Sequence, residues 1–129
     1  MKKLDINSTN EEFVQFVHEW VKLCASGKTI EAFELLDDPI DKFRHTWTVK
    51  DFEEVRFNHF DNGNSPVVTD PETVKGTIRK DVFEYDDDSG WGVQYDLPLN
   101  GVVSDFTLMF DFIKVDGKLK IILDDCHVM

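Results

Sequence analysis

Four consecutive residues near the end of the chain, Asp124-Asp125-Cys126-His127, combine two carboxylates, a thiol and an imidazole. These are the side chains that ligate metals and move protons. What they can do together depends on the element that carries them. Asp116-Gly117 stands between two alternating apolar runs, which signals a tight hairpin with a type I′ turn. With a two-residue loop Val115 lies opposite Lys118, and counting outward sets Phe112 opposite Ile121, Phe110 opposite Leu123, Leu108 opposite Asp125 and Phe106 opposite His127. Side chains alternate across a strand. Phe106, Leu108, Phe110 and Phe112 are therefore expected on an inner face with Leu119, Ile121, Leu123, Asp125 and His127, while Asp124 and Cys126 point outward. Four groups divided between two faces cannot close on one ion, so neither a metal site nor a cofactor is expected. A metal would need a third ligand from another element, and His45, in phase with Phe43 and Trp47, is the one the sequence offers.

The inward pair, Asp125 and His127, is the candidate for acid–base work. Residues two apart on one strand face are separated by about 6.5 Å along the chain, so the two side chains must lean together to bond. A carboxyl desolvated among Phe106, Leu108 and Leu123 would be a stronger base, as proton abstraction requires. Against this stands a structural role, in which both groups bond to backbone where the sheet finishes. Trp20, Tyr95, Phe106 and Leu108 are the candidates to line a pocket beside the pair. No nucleophile with a base and an orienting partner is readable, which favours a non-catalytic protein. The acidic run Asp86-Asp87-Asp88-Ser89-Gly90 lacks the later glutamate of a calcium loop and reads as a solvated turn. No glycine-rich phosphate loop is present.

Twenty-six acids against 14 bases give a formal charge of −12. Binding to phosphate backbones needs clustered Lys and Arg, so nucleic acid is excluded as an expected partner. A field of this sign attracts a basic protein and speeds encounter with it. No apolar run approaches the roughly 18–20 residues needed to span a bilayer, and no apolar segment follows the first residues. No membrane association is expected, and a cytoplasmic location is. In that setting Cys24 and Cys126 are expected as reduced thiols.

The rest of the chain reads as elements that position the hairpin. Ser8 or Thr9, with Glu11 or Glu12 three residues on, can close a capping box. Phe13, Val17, Trp20, Val21 and Cys24 then form one apolar stripe on a helix ended by Gly27. Thr29 can cap a second helix bearing Ile30, Phe33 and Leu36, stopped by Pro39, and Phe43, His45 and Trp47 alternate as a short strand. Thr48 with Asp51 caps a third helix carrying Phe52, Val55 and His59, and 61–66 is a loop by composition. From Val74 the period becomes two: a strand over 77–85, the acidic turn, a strand with Trp91, Val93, Tyr95 and Leu97, a break at Pro98, and a turn at Asn100-Gly101 into the final hairpin. The expected class is α+β in one domain over 1–129, with helices packed on four antiparallel strands.

This order of elements resembles the NTF2-like (cystatin-like α+β) superfamily, in which a helical hairpin crosses a strongly curved antiparallel sheet to make a cone with a pocket at its wide end. The resemblance covers nearly the whole chain and rests on order and length. It implies one of several functions: small-molecule isomerase or dehydratase, ligand carrier, adaptor for a protein partner, or bacterial immunity protein. In the pocket enzymes of that superfamily an acid or acid–histidine pair sits on the inner face, and Asp125 and His127 are the positions to which that role would transfer. On the opposite hairpin face Met109, Ile113, Ile122 and Val128 alternate with charge. That mixture marks an interface, and a homodimer formed through this sheet face is expected.

Overall fold

The structure, a computed structural model, describes residues 4–38, 46–59 and 67–128, with only the backbone of Asn58, His59 and Val128. The expected strand at Phe43 and His45, the helix stop at Pro39 and the loop at 61–66 lie outside these residues, as does His45 as a metal ligand. Three helices, α1 (Asn10–Ala25), α2 (Thr29–Glu34) and α3 (Val49–His59), precede four strands, β1 (Lys80–Glu84), β2 (Gly90–Asp96), β3 (Phe106–Val115) and β4 (Lys118–Val128). The strands form one open, curved antiparallel sheet in the order β1-β2-β3-β4, so the class is α+β.

Local chemistry explains most boundaries. Of the two capping boxes the sequence allows, the chain uses Thr9 with Glu12: Glu12 N donates to Thr9 Oγ1 at 3.2 Å and Thr9 N donates to Glu12 Oε1 at 3.0 Å. Thr48 and Asp51 do the same for α3, at 3.3 and 3.2 Å. Thr29 does not cap α2; it is the first helical residue, and the position before it, Lys28, gives no side-chain bond. Ile30 is correspondingly exposed, while Ala32 and Phe33 face the core. The hairpin turn has Asp116 at φ 51° and Gly117 at φ 77°, the two left-handed positions that a type I′ turn requires.

The core lies between the helices and the inner face of the sheet. Trp91, Val93 and Tyr95 of β2 and Phe106, Leu108, Phe110 and Phe112 of β3 all point into it. Phe13 of α1 sits between Trp91 and Phe112, with ring centroids 4.8 and 4.7 Å away. Trp20 meets Phe33, Phe52 and Phe110 at 5.2–5.8 Å, and its indole N–H donates to the Ala32 carbonyl at 2.9 Å. One tryptophan thus ties α1 to α2, α3 and the centre strand.

The two sheet edges differ. Along β4, Asp37 N donates to the Ile121 carbonyl and Ile121 N donates to Asp37 Oδ2, while the Trp47 indole donates to the Asp124 carbonyl at 3.1 Å. That edge is occupied. β1 is the other edge, and four of its five residues are exposed.

Candidate functional site

The expected register holds from Val115↔Lys118 to Phe110↔Leu123 and then shifts. The next pairs are Met109↔Asp125, Leu108↔Cys126, Thr107↔His127 and Phe106↔Val128, leaving Asp124 as an extra residue. Such a bulge inverts the facing of everything beyond it. Cys126, not Asp125, therefore enters the core beside Leu108, and it is 3% exposed. Asp125 and His127 lie on the outer face with Met109 and Thr107. This corrects their expected inward placement. His127 Nδ1 is 2.9 Å from Asp125 Oδ2, yet it forms no aligned hydrogen bond, and the two side chains are 40% and 47% exposed. The apolar surroundings expected around Asp125 are not there.

The pocket-lining candidates are corrected by their burial. Trp20, Tyr95, Phe106 and Leu108 each have 0% exposure, so no void of water size touches them. They are core. Of the interface candidates, Met109 and Ile113 are half-buried, but Ile122 is 1% exposed within the subunit, and the backbone of Val128 pairs with Phe106 rather than continuing the Met109 phase. The outer face carries polar links of its own. Arg79 makes a two-pronged contact with Asp96 (Nε–Oδ2 3.2 Å, Nη2–Oδ1 3.1 Å), and Thr107 Oγ1 donates to Asp96 Oδ1 at 2.8 Å. Phe83 lies over Gly92, and the Tyr85 hydroxyl donates to Asp111.

Two of the clefts on the surface carry clusters of polar side chains. One, of about 550 Å³, is lined by Tyr85, Asp86, Asp87, Ser89, Asp111, Ile113 and Asp124 on the outer face. Four of these seven residues are acids, drawn from the turn after β1, from β3 and from the β4 bulge. Hydrogen bonds from Ser89 hold the Asp87 carboxyl below the usual carboxylate range. Lys114 Nζ rests 2.8 Å from Asp88 Oδ1 and 4.9 Å from the Trp91 ring centroid, which fixes one flank of the turn. In the sequence Asp86 and Asp87 read as a solvated turn, with nothing local to link them to Tyr85, Asp111 or Asp124. The register of all four strands, with the β4 bulge, brings these together. A second cleft, of about 670 Å³, runs between α1, α3 and the segment after it, past Cys24, Arg56, Phe57 and Val67. Burial lowers the pKa of Arg56, whose guanidinium sits 4.6 Å from the Phe52 ring centroid, and pushes the Cys24 thiol up to about 12. Cys126 is raised as well, by burial and then by Asp125. Both cysteines are free, and thiols held protonated in this way are poor nucleophiles and poor ligands. Among the described residues no three His, Cys, Asp or Glu side chains come together to hold a metal, and no helix is long and apolar enough to cross a membrane.

A polar latch joins α1 to the segment before β1. His18 Nε2 and Lys22 Nζ lie 3.3 and 3.2 Å from the two Glu72 oxygens, and His18 Nδ1 is 3.3 Å from the buried Tyr95 hydroxyl. Hydrogen bonds from His18 and then Lys22 lower the Glu72 pKa from its ordinary 4.5. A depressed folded pKa means that the latch contributes fully above pH 4.5 and is lost as pH falls through the folded value. The difference in Tm between the wild type and Glu72→Gln is therefore expected to be small, present at neutral pH, and absent in strong acid. A difference that persists unchanged in strong acid would contradict the latch.

No curated protein and no solved structure matches this chain. Residues 30–129, from the start of α2 through the whole sheet, match a domain of unknown function, DUF7668. That span is 100 of the 129 residues, and the chain belongs to the DUF7668 family.

Proposed function

We propose that the protein is a non-catalytic module that binds a basic protein partner, built as an NTF2-like cone, with a bacterial immunity protein as the sharpest form of this reading. The observation that carries it is the outer cleft, where Asp86, Asp87, Asp111 and Asp124 surround an aromatic and an aliphatic side chain, Tyr85 and Ile113. Carboxylates that ring an apolar floor suit a Lys- or Arg-bearing surface with an apolar anchor at its centre. The overall charge of −12 adds long-range attraction for the same class of partner. Asp86 and Asp87 stand at the exposed rim, where charge governs encounter more than residence.

The test is kinetic. With the partner captured on a tagged copy of the protein, kon should fall steeply as NaCl rises from about 50 to about 500 mM, because screening shortens the reach of the field. The double substitution Asp86→Lys with Asp87→Lys should lower kon by about tenfold or more with koff nearly unchanged. A partner whose kon ignores both salt and these two charges would overturn the proposal.

A further inference from the structure

We infer that β1 is a self-pairing edge and that two copies of the chain join through it into a continuous eight-stranded sheet. The hydrogen-bond phase of β1 comes first. Asp96 N donates to the Arg79 carbonyl and Tyr85 N to the Gly90 carbonyl, so residues 79, 81, 83 and 85 turn their backbone groups toward β2. In an antiparallel ladder the alternate residues turn theirs away. Lys80, Val82 and Glu84 therefore present three N–H and three C=O groups at the edge, and among the described residues nothing bonds to them. The opposite edge, at β4, is already occupied by Asp37 and Trp47.

The sequence of the edge, Lys80-Asp81-Val82-Phe83-Glu84, then selects the occupant. A two-fold axis through Val82 sets Val82 against Val82 of the second copy and Lys80 against its Glu84, twice. The residues that face each other are the ones whose backbone groups are free, so the register that pairs opposite charges also completes the ladder. Other two-fold registers oppose like charges or lose the Lys–Glu pairs. An axis at Asp81 opposes two aspartates, one at Lys80 two lysines, and one at Glu84 two glutamates, each pair unfavourable when directly opposed on a sheet. An axis at Phe83 sets Glu84 against Val82 and forms no Lys–Glu pair. Lys80 and Glu84 are exposed and make no ion pair among the described residues. Beside them a cleft of about 250 Å³ between α1 and β1 is lined by Asn10, Glu11, Val14, Gln15, Lys80 and Val82. This leaves room over the edge for the second Val82 beneath Val14. In such a dimer the helices of both copies cover the same face of the joined sheet.

Light scattering on the size-exclusion peak at near-physiological salt should report twice the 15.0 kDa of one chain. Lys80→Glu and Glu84→Lys should each raise the dimer Kd by about tenfold, since each opposes like charges twice. The double variant K80E/E84K should return to within about threefold of the wild type. Val82→Pro, which removes an outward N–H at the axis, should give a monomer with an unchanged far-UV spectrum. A wild type that stays monomeric at high micromolar concentration would overturn the inference. So would a dimer indifferent to K80E and V82P, which would place the contact on another surface, and so would an edge that takes only a partner's extended peptide.

Discussion

Trp20→Ala is expected to remove about 3–5 kcal/mol of stability. The indole is wholly buried and contacts Phe33 of α2, Phe52 of α3 and Phe110 of β3. These elements converge on it from three directions and cannot all collapse into the space it leaves, so the void persists and its cost is near the upper end. The Ala32 carbonyl would also lose the indole N–H at 2.9 Å, which adds about 1 kcal/mol for an unpaired buried acceptor. A domain of this size is stable by about 5–15 kcal/mol, so the loss takes a large fraction of the total and should lower the urea midpoint markedly. Trp20→Phe separates the two contributions by keeping a ring but dropping the donor, and should cost about 1–3 kcal/mol. Urea titration with an unchanged m-value measures both. A Trp20→Ala midpoint within about 1 kcal/mol of the wild type would show that the helices are not anchored through this side chain.

The helical facing of Trp20 was legible in the sequence because it belongs to a stripe at helical spacing, which needs no knowledge of what packs against it; whether it met core or pocket was not. The same holds for Thr9 with Glu12, for Thr48 with Asp51 and for the Asp116-Gly117 turn, each of which is set by residues a few positions apart. The register was readable to Leu123 because it follows from the turn alone. It failed at Asp124, where the outcome depends on which of two arrangements buries the better side chain. Regular pairing would have put a carboxylate and an imidazole among phenylalanines; the bulge puts Cys126 there instead. Burying an unpaired charge costs far more than accommodating one extra residue at a sheet edge. A trace of this was present in the sequence. Leu123 and Cys126 are the apolar residues flanking the two acids, and their spacing of three, odd where one face demands an even number, is the footprint of an inserted residue. Cysteine is among the most frequently buried residue types and was the better guide to facing. The outer cleft had no such local trace, because Tyr85, Asp111 and Asp124 come from three stretches that only the folded sheet brings side by side.

Gly90→Ala is expected to cost about 3 kcal/mol or more and to remove the proposed partner binding with it, because one position holds both the sheet and the acidic turn. Gly90 has φ 151°, outside what other residues adopt readily, and a Cβ there would lie 2.0 Å from the Phe112 carbonyl oxygen and 3.0 Å from the Ile113 Cα. These are backbone atoms of the central strand and cannot swing aside; relief requires β2 to part from β3 at the end where Gly90 pairs with Ile113. The turn is fastened at the same place, by Tyr85 N to the Gly90 carbonyl and Lys114 N to the Ser89 carbonyl, so Asp86 and Asp87 would be displaced. Gly92→Ala provides the contrast. The nearest atoms to its Cβ would be the Phe83 ring at 2.5 Å and the Tyr85 hydroxyl at 2.9 Å, side chains on an open face that can rotate outward. That movement breaks the Tyr85–Asp111 bond and alters the cleft while the β2–β3 ladder stays closed. Gly92→Ala should therefore keep most of the urea stability and weaken partner binding, whereas Gly90→Ala should lose both. Wild-type affinity in Gly92→Ala would remove Tyr85 and Asp111 from the binding surface and leave the rim charges to act alone.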